Sequence, residues 1–478
     1  MTIGGELCEG TSGSTKALYN PATGEEIAKI NLASEVDVDR AVKAAKKALH
    51  SASWRDMLPA ERERILHKFA DLMEEHADEL ARLETLNQGM LLGVSRGTNV
   101  ADSIRWMRYM AGWATKIHGD SIDISATQPG IKYQVIVRRQ PVGVVGAIAP
   151  WNFPLMIAIW KIAPALACGC TVVLKPASET PLTALRLGEL ALEAGMPEGV
   201  LNVIVGSGGV AGNALVRHPD IDKITFTGST EVGIGIGMEC ARAVKRVALE
   251  MGGKSPVVVL DDCDPEVAAK GAAMAIFANQ GQVCVAGSRL YVQKKIFDKV
   301  VAEIGNIARN YVIGPGFDPA SEIGPLVSKQ HRDNVLKYIG TGCPEGAELV
   351  AGGEAVAGNG FFVKPTVFAN TTGRALTLTR EEVFGPVLIA QPFDDIEEVV
   401  HEANDTVYGL AASVWTNNLS KALRLAERIE AGTVWINGHL TVDPNMPFGG
   451  SKQSGIGREH GHAAIDSYTE MKSICIAY

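Results

Sequence analysis

Cysteine is scarce in this chain: eight residues in 478, none of them in a C-x-x-C pair. That is too few and too scattered for a disulfide framework, so free thiols in a reducing compartment are expected, with the cytoplasm as the location. The first twenty residues, MTIGGELCEGTSGSTKALYN, have neither a basic start with an apolar core nor an Arg-rich, acid-poor composition. A signal or transit peptide is therefore not expected. Basic runs are also missing, and 45 basic against 54 acidic side chains leave a net charge of −9. Without an electrostatic footprint for phosphate backbones, nucleic acid is not an expected partner. One charge-free stretch lies between Arg139 and Lys161, but Pro141, Pro150 and Pro154 interrupt it. It reads as a buried strand, a turn and a buried helix, not a membrane span. H-E-x-x-H does not occur, and no catalytic metal is expected.

What is present is ordinary globular material, 46% apolar and 21% charged, in a length that suggests several domains. Apolar residues at Val38, Ala41, Val42, Ala45 and Leu49 have the spacing of a one-sided helix. A longer helix is expected through Ile65, Leu66, Phe69, Leu72, Met73, Leu80, Leu83 and Leu86, ending at Gly89, with both helices covering a sheet. From Val142 the texture changes to short β-branched runs at 142–150, 171–176, 201–206, 223–228 and 246–253. Separated by crossover lengths, these predict a doubly wound parallel sheet whose ligand crevice lies beyond the carboxyl ends of its strands. Further runs at 255–260, 288–292, 410–416 and 432–437 alternate with helices at 265–279, 296–309, 395–405 and 418–431. They predict a second α/β domain, with the boundary near residue 252.

The strand ends carry the polar residues. Asn152, in Pro150-Trp151-Asn152-Phe153-Pro154, is either a turn or cap residue or a neutral donor to a developing oxyanion. Lys175 is either solvated or a donor to ribose hydroxyls. The run Gly206-Ser207-Gly208-Gly209-Val210-Ala211 matches G-x-G-x-x-A but lacks the acidic residue at the next strand end, so it reads as a tight turn. Gly228, Ser229 and Gly233 open a helix whose free N–H groups suit a pyrophosphate. Glu250 is either a general base with a raised pKa or the partner of Lys254 or another nearby base. Cys284 is either an inert core thiol or a nucleophile brought out by the Gly281-Gln282 break.

Taken together, LEMGG around Glu250, FANQGQVC ending at Cys284, PWNFP, FTGSTEVG, EEVFGP and PFGGSKQSGIGREHG resemble the NAD(P)-dependent aldehyde dehydrogenase superfamily over nearly the whole chain. PAERERILHKFADLMEEHADELARLETLNQG, WMRYMAGWATKIHG and the terminal KSICIAY are most similar to its phenylacetaldehyde dehydrogenase branch. The resemblance implies a dinucleotide-binding domain over 1–120 and 142–252 and a catalytic α/β domain over 253–446. It also implies a small β ribbon for oligomerisation from 121–141 and 462–478, in a homotetramer or homodimer.

By the same resemblance, Cys284 attacks the aldehyde, Asn152 and the Cys284 N–H face the oxyanion of the thiohemiacetal, and Glu250 activates the water that hydrolyses the thioester. Trp151, Lys175, Ser178, Gly228, Ser229, Gly233, Met251, Glu382 and Phe384 would contact the dinucleotide. Phe153, Trp160 and Phe448 would line an apolar tunnel suited to an aromatic or medium-chain aldehyde. NAD is the expected cofactor. Ser178 stands where many NAD-preferring relatives carry Glu, which removes a repulsion of the 2′-phosphate and opens the site to NADP, while Glu179 works against this. The competing activities are a CoA-acylating aldehyde dehydrogenase, which Glu250 argues against, and a cysteine esterase without nicotinamide.

Overall fold

The computed structural model describes residues 1–125 and 128–478. Five of the β-branched runs form the parallel strands Val144–Ile148, Thr171–Lys175, Leu201–Val203, Lys223–Thr227 and Arg246–Glu250. Numbered by sequence, they lie in the order 3-2-1-4-5. The order reverses between Val144–Ile148 and Lys223–Thr227, and a crevice forms at such a switch point. The first two strands are buried at every residue, which is why they read as unbroken apolar runs. Short antiparallel strands close the edges: Thr2–Ile3 beside Leu201–Val203, and Gly455–Ile456 beside Arg246–Glu250. The last part of the chain thus returns to the first sheet.

A second sheet has seven strands in the order Glu348–Ala351, Thr366–Ala369, Val387–Phe393, Arg289–Gln293, Pro256–Val259, Ala411–Trp415, Thr433–Ile436. Only the first pair is antiparallel. Four of these strands match sequence expectation. The other three, and the helix Lys329–Glu345 that precedes them, carry no pattern that announces them.

The helix Glu35–His50 begins with a reciprocal cap: Ser34 Oγ accepts from the Asp37 N–H (3.2 Å) while the Asp37 carboxylate accepts from the Ser34 N–H (2.9 Å). Its buried Val38, Ala41, Val42 and Ala45 face the first sheet. The longer helix expected through Leu86 is instead two, Pro59–Glu75 and Ala77–Gln88, separated at His76 (φ −95°, ψ 16°). Nor does this pair cover the sheet. It packs on the helices Pro154–Ala167 and Leu182–Glu193, which already occupy that face. Pro154–Ala167 is buried along all 14 residues, so it needs cover on its outer side as well.

Thr469–Ala477, Tyr133–Pro141 and Asp120–Ile122 form a separate antiparallel ribbon, with Thr469–Ala477 on its outside and mostly exposed. The two segments expected to oligomerise therefore pair with each other, with one correction. Residues 462–468 belong to the helix Gly461–Tyr468, whose Ala464, Ile465 and Tyr468 are buried, and this helix packs on Pro154–Ala167. Residues 126 and 127 of the first segment lie outside the described residues. Among the described residues, no helix is long and apolar enough to cross a membrane.

Candidate active site

Cys284 stands on a strained pedestal. The helix Pro265–Phe277 gives way to a tight turn, Ala278–Gly281, in which Asn279, Gln280 and Gly281 have φ of 46°, 57° and 70°. Left-handed backbone is unfavourable for residues that carry a Cβ, so neighbouring bonds must hold it. Asn279 Nδ2 donates to the Asn152 carbonyl (3.0 Å), Gln282 Nε2 donates to the Asn279 carbonyl (3.3 Å), and Gln282 Oε1 accepts from the Val327 N–H (3.0 Å). Gly281 has no substitute there, since a Cβ would lie 2.1 Å from the Gly385 carbonyl oxygen. The turn leaves Cys284 partly accessible while Val283 and Val285 are buried. Burial, then the charges of Glu382 and Glu250, push the thiol up to about 12, against the N–H groups of Val285 and of Cys284 itself.

Asn152 is buried and does not cap the following helix, whose cap residue is Phe153 without a side-chain bond. Its Nδ2 instead donates to the Gln282 carbonyl (3.0 Å), tying the turn after Val144–Ile148 to the Cys284 pedestal. Asn152 is held at two points, its backbone carbonyl by Asn279 and its side-chain amide by the Gln282 carbonyl.

Glu250 ends its strand only 4% exposed, and neither carboxylate oxygen has a hydrogen-bond partner among the described residues. No ion pair with Lys254 forms among those residues. Burial, then the negative Glu459, hold Glu250 well above the usual carboxylate range, with Lys161 and Arg458 opposing. Glu459 is itself buried and paired with the fully buried Lys161 (2.7 Å), and Thr225 Oγ1 donates to it at 3.4 Å. Neither Lys161 nor Glu459 is singled out by the sequence. They stand at no anticipated strand end, and they lie 298 residues apart.

The remaining strand ends gather around the same crevice. Lys175 is buried and donates to the Pro176 carbonyl (2.9 Å), and burial lowers it to about 8. The G-x-G-x-x-A run is a capped helix start and not a free-standing tight turn: Gly208–Gly212 is π-helical and leads into the helix Asn213–Arg217, with Ser207 Oγ accepting from the Val210 N–H (3.2 Å). Ser229 caps Thr230–Arg242. Gly233 lies against Met251, where a Cβ would be 2.2 Å from the sulfur. Glu382 accepts from the Gly253 N–H (2.9 Å) and lies so close over Gly252 that a Cβ there would sit 2.1 Å from the carboxylate. Burial pushes Glu382 up to about 7. Trp151 meets Phe384 edge-on at 5.3 Å and His331 at 4.9 Å, and His331 Nε2 lies 2.8 Å from the Phe384 carbonyl. Burial lowers the His331 pKa, so the neutral ring donates to that carbonyl and fixes Phe384, whose φ is 56°. His331 lies on the unanticipated helix and carries no sequence signal.

This donor set fits a nicotinamide dinucleotide. It offers backbone close to side-chain-free glycines, a capped helix start, a buried lysine and a carboxylate, at the carboxyl ends of a doubly wound sheet.

Of the expected tunnel residues, Trp160 and Phe448 come together, with ring centroids 5.5 Å apart. Trp106 (5.6 Å) and His460 (4.2 Å) complete a cluster around Trp160, and burial pushes His460 down to about 3, leaving it neutral. Phe153 is partly exposed at the helix start, and no aromatic pair joins it to this cluster among the described residues.

Comparison with known proteins gives the same architecture. The sequence model of the aldehyde dehydrogenase family matches residues 8–474. The chain is 57% identical over 480 residues to phenylacetaldehyde dehydrogenase of Pseudomonas fluorescens, covering 100% of this chain and 96% of that one. It is 49% identical to the putative aldehyde dehydrogenase DhaS of Bacillus subtilis (strain 168), covering 100% and 95%. The NAD+ complex of aldehyde dehydrogenase from Bacillus cereus superposes with a TM-score of 0.97 at 48% identity, covering 100% and 96%. The chain belongs to the aldehyde dehydrogenase family and is an NAD(P)-dependent oxidoreductase.

Proposed function

We propose that the protein oxidises an aromatic aldehyde of the phenylacetaldehyde type to its carboxylate. The full-length identity to phenylacetaldehyde dehydrogenase carries this reading, and the buried aromatic cluster of Trp106, Trp160, Phe448 and neutral His460 accords with an uncharged aromatic substrate.

In this reading Cys284 attacks the carbonyl carbon as a thiolate, after its proton passes to a base of the site. The resulting alkoxide accepts from Asn152 Nδ2 and the Cys284 N–H, donors that add no charge. After oxidation the acyl group remains on sulfur as a thioester. Glu250 takes a proton from water, the hydroxide attacks the acyl carbon, and the thiolate leaves. Both its oxygens lack a hydrogen-bond partner among the described residues, so their lone pairs are uncommitted. Lys175, Ser178, Gly228, Ser229, Gly233 and Met251 would hold the dinucleotide, with Trp151, Glu382 and Phe384 at its nicotinamide end. The cofactor supplies the hydride acceptor when bound. We assign the ribbon to homo-oligomerisation, as dimer or tetramer, because its outer strand leaves an edge for pairing.

Turnover of phenylacetaldehyde, an aliphatic aldehyde and betaine aldehyde by the purified protein, followed as nicotinamide reduction, tests the substrate class. Phenylacetaldehyde is expected to have the highest kcat/KM of the three. A preference for betaine aldehyde overturns the aromatic reading, and turnover only with added CoA overturns the hydrolytic one. Asn152→Ala is expected to lower kcat by about 10²–10³-fold, as loss of an oxyanion donor does. An unchanged kcat removes Asn152 from that role.

A further inference from the structure

The hairpin Thr15–Tyr19/Glu26–Asn31 lies far from Ser178 in sequence, yet its Lys16 reaches the end of the Thr171–Lys175 strand. There Lys16 Nζ donates to Ser178 Oγ at 3.2 Å and to the Glu179 carboxylate. Ser178 Oγ in turn donates to Glu179 at 3.4 Å. Lys16 and Glu179 remain about a third exposed, at 32% and 39%, so solvent and ligand reach them. Lys175, by contrast, is buried and turned to the Pro176 carbonyl. The accessible cation at this position is therefore Lys16, and the acidic neighbour that would repel a second negative group is already neutralised by it.

We propose that Lys16 is the specificity-determining cation for the adenosine ribose, receiving the 2′-phosphate of NADP while Glu179 gives way. This rests on the reading that the dinucleotide lies along these strand ends. Glu179 and a 2′-phosphate compete for the same ammonium group. A phosphate carries more charge than a carboxylate and adds an acceptor for the Ser178 hydroxyl, so exchange is favourable. With NAD, the pair Lys16–Glu179 stays closed and Ser178 is left facing the ribose hydroxyl. The chain would thus use both cofactors, with Lys16 and Glu179 setting the ratio.

The test is calorimetric titration of the full-length protein with 2′,5′-ADP and with 5′-AMP, which differ only in the 2′-phosphate and require no turnover. Lys16→Met is expected to weaken 2′,5′-ADP at least about ten-fold more than 5′-AMP, the size of a lost charge-assisted bond. Lys16→Arg is expected to restore most of the difference. Glu179→Gln, which frees Lys16, is expected to tighten 2′,5′-ADP relative to 5′-AMP, giving a second readout that does not depend on Lys16→Met folding. The wild-type preference should shrink as salt is raised. Equal weakening of both nucleotides in Lys16→Met overturns the proposal. So does full recovery of 2′,5′-ADP binding in the double variant Lys16→Met/Glu179→Gln, because Lys16 would then only mask Glu179. Failure of the wild-type protein to bind either nucleotide overturns the placement of the dinucleotide itself, and the proposal with it.

Discussion

Cys284→Ala is expected to abolish aldehyde oxidation, by about 10⁴-fold or more, while dinucleotide still raises the melting temperature. The size follows from the loss of the bond-forming atom: no other nucleophile stands on the pedestal after Gly281, and Asn152 and the backbone donors have no alkoxide to stabilise. Retained cofactor binding follows because the proposed dinucleotide contacts lie on other strand ends. The measurement is a pair, nicotinamide reduction under saturating aldehyde and a thermal shift with NAD. Residual turnover within ten-fold of wild type would remove Cys284 from the reaction. Loss of the thermal shift together with turnover would mark the substitution as structural. The high thiol pKa adds a pH signature. Because burial and two carboxylates hold the proton on sulfur to about 12, alkylation of Cys284 in the free protein should be slow at neutral pH and accelerate as pH rises.

Glu250→Gln is expected to preserve a rapid first turnover and slow the steady state by about 10²–10⁴-fold, the range of a lost general base. A stopped-flow trace of nicotinamide absorbance separates the phases: a burst close to the enzyme concentration, then a slow line. Loss of the burst itself would assign Glu250 to the acylation step. The pH profile carries the same information. Burial and Glu459 raise the Glu250 pKa, so the carboxylate form that accepts the proton accumulates only as pH climbs through that raised value. Steady-state turnover of the wild type should therefore rise with pH over that range, and glutamine, which does not titrate, should flatten the rise.

The strand ends are legible in the sequence because parallel strands buried on both faces must be written as unbroken β-branched runs, and whatever follows them lies at one edge of the sheet. The order of residues alone thus sets Asn152, Lys175, Gly228 and Glu250 on a common rim. Interactions that assemble across the chain leave no such trace. Lys161 lies inside an apolar helix, Glu459 in a loop, and only folding makes them the charged neighbours of Glu250. His331 and Lys16 are single polar residues on a helix and a hairpin with no local pattern to mark them, and their importance comes from what faces them. The strand Val387–Phe393 is hidden behind the glycine and proline of EEVFGP, and Thr366–Ala369 by its four-residue length. The break at His76 is invisible because the apolar spacing continues across it, although the regular helical backbone does not. Phe153, at the cap position of its helix, is partly exposed and packs against the same apolar cluster as Trp160 and Phe448.

The left-handed turn beneath Cys284 sets folding against reaction. Asn279 and Gln280 both carry side chains in a conformation worth roughly 1–2 kcal/mol less per residue than right-handed backbone, in a protein whose net stability is of order 5–15 kcal/mol. Relaxing this turn would relieve that cost and, by the same movement, disturb the Asn279 and Gln282 bonds that hold Asn152 against the Cys284 segment. Selection for thermal robustness and selection for turnover therefore pull in opposite directions at these two positions, and variants gained under one pressure should register as losses under the other.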